Sequence, residues 1–123
     1  MQISCGTDII EIERIKKAIQ ENGEKFIDTI YTQKEKEYCE SRNKAKYQHY
    51  AVRFAAKEAI YKALSKILKD ENNTKWKDVE ILNNEEGKPE IKFMKKIQKI
   101  KDIDISLSHC KEYAVATVTI LYV

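Results

Sequence analysis

Between Val52 and Ile67 the chain reads VRFAAKEAIYKALSKI, with no glycine or proline, and its apolar residues recur at steps of three and four. Val52, Ala56, Ala59, Ile60, Ala63, Leu64 and Ile67 thereby form one stripe of an amphipathic helix. At about 100° per residue, Glu58 and Lys62 fall on one flank of the stripe and Arg53 and Lys57 on the other. The small residues Ala55, Ala56, Ala59 and Ala63 would let a second backbone, or a ligand, approach this helix closely.

Ahead of it, Ile3 and Cys5 alternate with Gln2 and Ser4, which predicts a short strand over residues 2–8 with Gly6 as its break. Ile9, Ile12, Ile15 and Ile19 predict a helix from about residue 10 to Glu21, ending at Asn22 and Gly23. Asp8 stands at the junction, and with Glu11 three residues on it has the arrangement of a helix capping box. A short helical segment over 24–31 follows, and Thr32 with Glu35 is a second capping box, opening a helix through about Arg42. Arg42 to His49, basic and aromatic, reads as a solvated loop entering the central helix, with the border of a phosphate site as the alternative.

Beyond the central helix the polar run KDENNTKWKD reads as the loop that ends it. Strands over 78–82 and Glu90–Phe93, joined by Glu85 to Pro89, predict a hairpin, and Met94–Lys101 a short basic helix. Ile103, Ile105 and Leu107 alternate with Asp104, Ser106 and Ser108 as a strand. A last strand, Tyr113–Leu121, places Ala114, Ala116, Val118 and Ile120 on one face and Val115, Thr117 and Thr119 on the other. These elements predict one α+β domain over residues 1–123, a small antiparallel sheet packed on a long central helix. The last strand is short of polar residues on both faces, so its second face wants cover, and self-association would supply it.

Composition narrows the class. At 123 residues the chain has room for one modest core, and 35% charged with 42% hydrophobic residues fits a globule, not a disordered segment. A net charge of +3 suits an acidic partner or phosphates but falls short of the footprint of a dedicated nucleic-acid binder. Cys5, Cys39 and Cys110 are too scattered for a zinc or dithiol motif and suit a reducing compartment. With acidic residues interrupting the N-terminal stretch and no run long enough for a membrane helix, the expectation is a cytoplasmic protein with no membrane contact.

Chemistry-bearing residues gather in three places: Gly6, Asp8 and Arg14; Arg53, Lys57, Glu58 and Lys62; Ser106, Ser108 and His109. Singly, each has an ordinary explanation. Glu58 and Lys62 have the spacing of an exposed helix ion pair, contributing a few tenths of a kcal/mol, and Asp8 that of a helix cap. Together they permit more. Mg²⁺ commonly takes one or two carboxylates and fills its shell with water and phosphate oxygens, so Asp8 and Glu58 could form its site. Lys62, about 6 Å further along the helix, could meet a phosphate held there.

In order and detail the three groups resemble the holo-acyl-carrier-protein synthases, a family of phosphopantetheinyl transferases. The family's first signature stands here as Gly6, Thr7, Asp8 through Arg14; its second as Lys57, Glu58, Ala59, Lys62, Ala63, preceded by Arg53, Phe54, Ala55 and Ala56; its third as Ser106 to His109 with Tyr113 to Ala116. Gly87, Lys88 and Pro89 match its Gly-Lys-Pro turn. The segment Leu64 to Leu68 departs from the pattern, having none of the glycines usual after the central helix, and Glu86 stands where Asn is common. The resemblance implies Mg²⁺-dependent transfer of 4′-phosphopantetheine from coenzyme A to a serine of apo acyl carrier protein, releasing adenosine 3′,5′-bisphosphate. It implies Asp8 and Glu58 as metal ligands, with Lys62 beside them at the reacting pyrophosphate and Glu58, or a metal-bound water that it orients, as the base. It further implies Arg53, Lys57, Lys62, Lys88, Pro89, Ser108 and His109 as coenzyme contacts, Arg14 as a carrier-protein contact, and a homotrimer with sites between subunits.

Two rival readings carry less of the chain. A thiol enzyme built on His109 and Cys110 lacks an orienting third group, and neighbours on a strand face opposite ways. A small basic RNA-binding module using Tyr47, Tyr50, Arg53 and the lysines between 92 and 101 lacks the aromatic sheet pattern that stacks bases.

Overall fold

Strand β1 (Gln2–Glu11) opens the chain and pairs antiparallel with the last strand, β5 (Tyr113–Tyr122), from Gln2 opposite Tyr122 to Glu11 opposite Tyr113. Strand β4 (Ile100–His109) lies on the other side of β5, so the sheet order is β1-β5-β4. The computed structural model describes residues 1–68 and 74–123; the polar loop expected after the central helix falls largely on 69–73, outside them. Between the outer strands of the sequence lie α1 (Ile12–Asn22), α2 (Glu24–Ile30), α3 (Gln33–Glu40), the central helix α4 (Lys46–Ile67) and a hairpin of β2 (Val79–Asn83) with β3 (Pro89–Phe93). No helix among the described residues is long and apolar enough to cross a membrane.

Helix α4 lies across one face of the sheet. Ala55, Ala56, Ala59, Ile60, Ala63 and Leu64 of the helix, Ala116, Val118 and Ile120 of β5, and Val79 and Ile81 of β2 are all fully buried in one cluster. A second cluster packs α1 and α2, through Ile12, Ile15, Ile19, Ile27 and Ile30, against Tyr50, Ala51 and Val52 on the N-terminal half of α4. Burying a side chain of Ile or Leu size contributes roughly 1.5–3 kcal/mol, so α4 is the element on which both clusters depend.

The inward face of β1 carries Ser4, Gly6, Asp8 and Ile10, while Ile3 and Ile9 point outward and are 58% and 62% exposed. Small residues face inward because helix and strand nearly touch. The Ser4 hydroxyl donates to the Ala63 carbonyl oxygen at 2.8 Å, and a Cβ on Gly6 would overlap the Ala59 carbonyl. The alanine stripe of α4 therefore receives a backbone.

Several elements differ from expectation. Residues 9–11 belong to β1, because pairing with β5 continues to Glu11, and α1 starts only at Ile12. Asp8 is thus not a helix cap: it sits within the strand opposite Ala116, and the N-cap position falls on Glu11, whose side chain makes no capping bond. The second capping box does form, with Glu35 N–H donating to Thr32 Oγ1 at 3.2 Å and Thr32 N–H to Glu35 Oε1 at 2.8 Å. Helix α4 begins at Lys46, so His49 and Tyr50 are helical rather than part of a loop, and Tyr50 is fully buried. Met94–Lys101 is not a helix. The Met94 N–H is drawn back to the Asp78 carbonyl oxygen at 2.8 Å, prolonging the hairpin, and β4 has begun by Ile100.

Candidate active site

Two separate groups of side chains emerge, one on each flank of α4. The first joins β1 to the helix. Asp8 projects from the inward face of β1, and the Lys62 ammonium donates to Asp8 Oδ1 at 3.1 Å and to the Thr7 carbonyl oxygen at 3.0 Å. Lys62 therefore crosses to the strand, and no ion pair with Glu58 forms among the described residues. Glu58 is half-buried one turn earlier on the helix. Burial pushes its carboxyl above the usual range, the negative charge of Asp8 adds to the rise, and Lys62 opposes it. Two carboxylates thus confront each other with one ammonium to balance them. Such an excess of oxygen donors and negative charge fits a hard divalent cation.

The second group lines a cavity of about 370 Å³ between α4, the β2–β3 hairpin and β4. His49, Val52 and Arg53 come from the helix, Asn83, Gly87, Lys88 and Pro89 from the hairpin, and Ile105 to Leu107 with His109 from β4. Arg53 is only 1% exposed. Its Nε donates to the Ile81 carbonyl oxygen at 3.1 Å and its Nη2 to Asn83 Oδ1 at 3.0 Å, while the guanidinium lies over the Tyr38 ring, 4.4 Å from its centre. The cation is held rigidly at the wall of the cavity. His49, one turn before Arg53, has its imidazole pushed down to about 4 by burial, with Arg53, Arg42 and His109 all repelling a proton, so it is neutral at pH 7. Guanidinium, imidazoles and the Lys88 ammonium around one cavity suit a phosphate-bearing ligand.

Besides Lys62, which belongs to the first group, two predicted contacts do not join this cavity. Lys57 is fully buried, and its ammonium donates to Glu35 Oε1 at 2.7 Å, the Ile30 carbonyl oxygen at 2.7 Å and the Trp76 carbonyl oxygen at 2.9 Å. All three protons are used, so the side chain has none for a coenzyme. Ser108 lies opposite Val115 on the outward face of the sheet, away from His109. Arg14 is exposed on α1, as a partner contact requires. His49, which the sequence alone assigns to a loop, lines the cavity from α4; its signal is the four-residue step to Arg53, legible once the helix starts at Lys46. A larger cavity of about 790 Å³, bordered by Lys66, Phe93, Ile97 and Tyr122, includes none of the predicted site residues.

The rivals fare poorly on the same geometry. Burial pushes the Cys39 thiol up to about 12, and Cys110, though exposed, has no hydrogen bond to an imidazole among the described residues. Tyr50 and Arg53, two of the residues an RNA-binding surface would need, are buried.

Comparison with known proteins places the chain among relatives. The sequence profile described as the 4′-phosphopantetheinyl transferase superfamily matches residues 4–118. The chain is 46% identical to a holo-(acyl-carrier-protein) synthase of Ruminiclostridium cellulolyticum, over 94% of this chain and 90% of that one. It is 41% identical to one of Geobacter sp. strain M21, over 98% of each. Among solved structures, a holo-(acyl-carrier-protein) synthase from Bacillus anthracis in complex with CoA (3′,5′-ADP) superposes with a TM-score of 0.77 at 33% identity, covering 95% of this chain and 94% of that one.

Proposed function

Because the chain belongs to the holo-(acyl-carrier-protein) synthases of the 4′-phosphopantetheinyl transferase superfamily, we propose that its two groups of residues serve one reaction. In it, 4′-phosphopantetheine passes from coenzyme A to a serine hydroxyl of apo acyl carrier protein, with Mg²⁺ bound and adenosine 3′,5′-bisphosphate as the leaving product. The observation that carries the reading is the confrontation of Asp8 and Glu58 beside Lys62.

Asp8 and Glu58 would hold Mg²⁺, which when bound polarises the pyrophosphate and offsets charge on its leaving side. Lys62 supplies a second positive charge at the same place, where electrostatic stabilisation of a phosphoryl transition state is worth most. The serine oxygen forms its bond to the pantetheine-side phosphorus as the bond to the bridging oxygen breaks, and the bisphosphate departs with that oxygen. The serine proton needs an acceptor, and Glu58, or a water that it orients, is the candidate at this flank.

Arg53, His109, Lys88 and Pro89 would hold the nucleotide end of the coenzyme in the 370 Å³ cavity. Asp8, Glu58 and Lys62 are not among the residues lining that cavity, so within one chain the two groups stand apart. A site shared between copies resolves this, the metal-binding flank of one facing the cavity of the next. A homotrimer would also cover the outward sheet face bearing Ile3, Ile9 and Thr117. Exposed Arg14 on α1 would meet an acidic carrier protein, and unpaired cysteines suit a cytoplasmic setting.

The test is a mass measurement. Protein, Mg²⁺ and coenzyme A should add one phosphopantetheine to an apo acyl carrier protein; no gain with any apo carrier protein from the same cell would overturn the reading.

A further inference from the structure

Lys57 and Glu35 form an ion pair that the reaction does not use, with both side chains wholly shielded from solvent. A buried pair of this kind is weak support for stability, because desolvation of the two charges offsets much of their attraction. Its connections point elsewhere. Glu35 Oε1 accepts from Lys57 and from the Thr32 N–H, while Oε2 accepts from the Ile81 N–H of β2 at 2.8 Å. The carbonyl oxygen of the same residue, Ile81, accepts from Arg53. Both polar backbone groups of Ile81 are thus held by side chains from α3 and α4.

That matters because the β2–β3 hairpin forms its own two-stranded sheet, with no ladder among the described residues to β1, β5 or β4. Main-chain pairing does not fix where it stands relative to α4. Val79 and Ile81 pack on α4 and the Thr32 hydroxyl donates to Glu80 Oε2 at 2.6 Å, but the polar links that lead on to the pocket wall run through Glu35 and Arg53 to Ile81, then two residues on to Asn83, which accepts from Arg53 and donates to the Gly87 carbonyl oxygen at 3.1 Å. Lys88 and Pro89 follow directly. Lys57, saturated by three acceptors, holds the Glu35 carboxylate in place from behind.

We propose that Glu35, anchored by Lys57, is a positioning residue for the coenzyme pocket, setting the distance between Arg53 on α4 and the Lys88–Pro89 wall. This rests on the reading of that cavity as the coenzyme's nucleotide site. The signature lysine of the central helix then serves the pocket from inside the core, touching no phosphate. Replacing Glu35 by Gln puts an amide donor where the carboxylate faces only donors, so the link to Ile81 or to Lys57 must give.

The experiment measures kcat and KM for coenzyme A, with apo carrier protein saturating, for wild type, Glu35→Gln, Lys88→Ala and the double variant. Glu35→Gln should raise KM for coenzyme A about fivefold or more, with kcat within about twofold of wild type, and Lys88→Ala should cost much less in that background than alone. A core-only role would not couple to an exposed lysine. An unchanged KM in folded Glu35→Gln, or penalties that simply add, overturns the proposal. If Glu35→Gln does not fold, Glu35→Leu combined with Lys57→Met removes both charges and enters the same cycle; if neither folds, the pair is a requirement of the core and the positioning role is wrong. Wild type that takes no coenzyme A at all fails the parent reading and this one together, which the variants' kinetics cannot mimic.

Discussion

Gly6 of β1 lies so close to Ala59 of α4 that a methyl group on Gly6 would occupy the space of the Ala59 carbonyl oxygen, with the Ala63 amide nitrogen next in line at 3.1 Å. Both obstacles are helix backbone, which cannot swing aside as a flexible side chain can. Gly6→Ala therefore has to push strand and helix apart. Overpacking of this kind costs about 1–3 kcal/mol, and the melting temperature should fall by several degrees. Asp8 is two residues along on the same face and Glu58 adjoins Ala59, so the carboxylate pair separates as well. Calorimetry and steady-state assays of Gly6→Ala should show a lower melting temperature together with a lower kcat; a fully active, equally stable variant would contradict the close approach.

The carboxylate pair gives a sharper contrast. Glu58→Gln and Asp8→Asn keep size and shape while removing charge: Glu58→Gln relieves the repulsion from Asp8 and should leave the melting temperature near or above that of wild type, whereas Asp8→Asn relieves it but weakens the bond to Lys62 and should leave it near wild type. Each should reduce transfer by at least about a hundredfold, the range for losing a metal ligand or a general base. Lys62→Ala should also slow transfer, and its stability effect should be small because the side chain is more than half exposed.

Which parts of this were visible in the residue pattern follows from where the determining partner lies. The faces of β5, the Thr32–Glu35 capping box and the Gly87 turn depend on neighbours within a few residues, and all three were legible. The extension of β1 to Glu11 is imposed by β5, more than a hundred residues away in sequence, against a local isoleucine spacing that favours helix. Arg53 and Lys57 looked like flanks of a helix because charged side chains are ordinarily solvated. Their burial depends on acceptors at Ile30, Glu35, Trp76 and Ile81, none of which the helix itself announces. The grouping of Asp8, Glu58 and Lys62 was legible through resemblance, whereas the division of the site into two flanks required the fold.

His49 supplies a pH test. Its imidazole is held at about 4 in the fold, below the roughly 6.5 of an unfolded chain. Between those values the unfolded state binds more protons, so His49 lowers stability progressively as pH falls through that window and has no effect above it. The His49→Gln variant should therefore lose less melting temperature than wild type between pH 6.5 and 4, with equal behaviour above pH 7. Because the side chain is only half-buried, the difference should be modest. Parallel curves across the whole range would mean that burial, aided by Arg53, Arg42 and His109, does not hold this imidazole down.

A site shared between copies makes the strongest demand on the assembly. Glu58→Gln spoils the metal-binding flank and His109→Ala the cavity, and within one chain these lie on opposite sides of α4. If each working site takes its flank from one copy and its cavity from the next, mixing the two inactive proteins after dissociation restores sites that draw an intact flank from the His109→Ala copy and an intact cavity from the Glu58→Gln copy. Random mixing in equal amounts around a closed ring leaves about a quarter of the sites with both halves intact, so the mixture should recover roughly that share of wild-type activity. Ile9→Asp, which places a charge on the outward sheet face, should break the assembly into smaller species in sedimentation equilibrium and abolish the recovery, while the isolated fold, which does not bury Ile9, keeps its helical signal. If each chain carried a complete site instead, mixing would regain nothing and Ile9→Asp would stay active as a monomer.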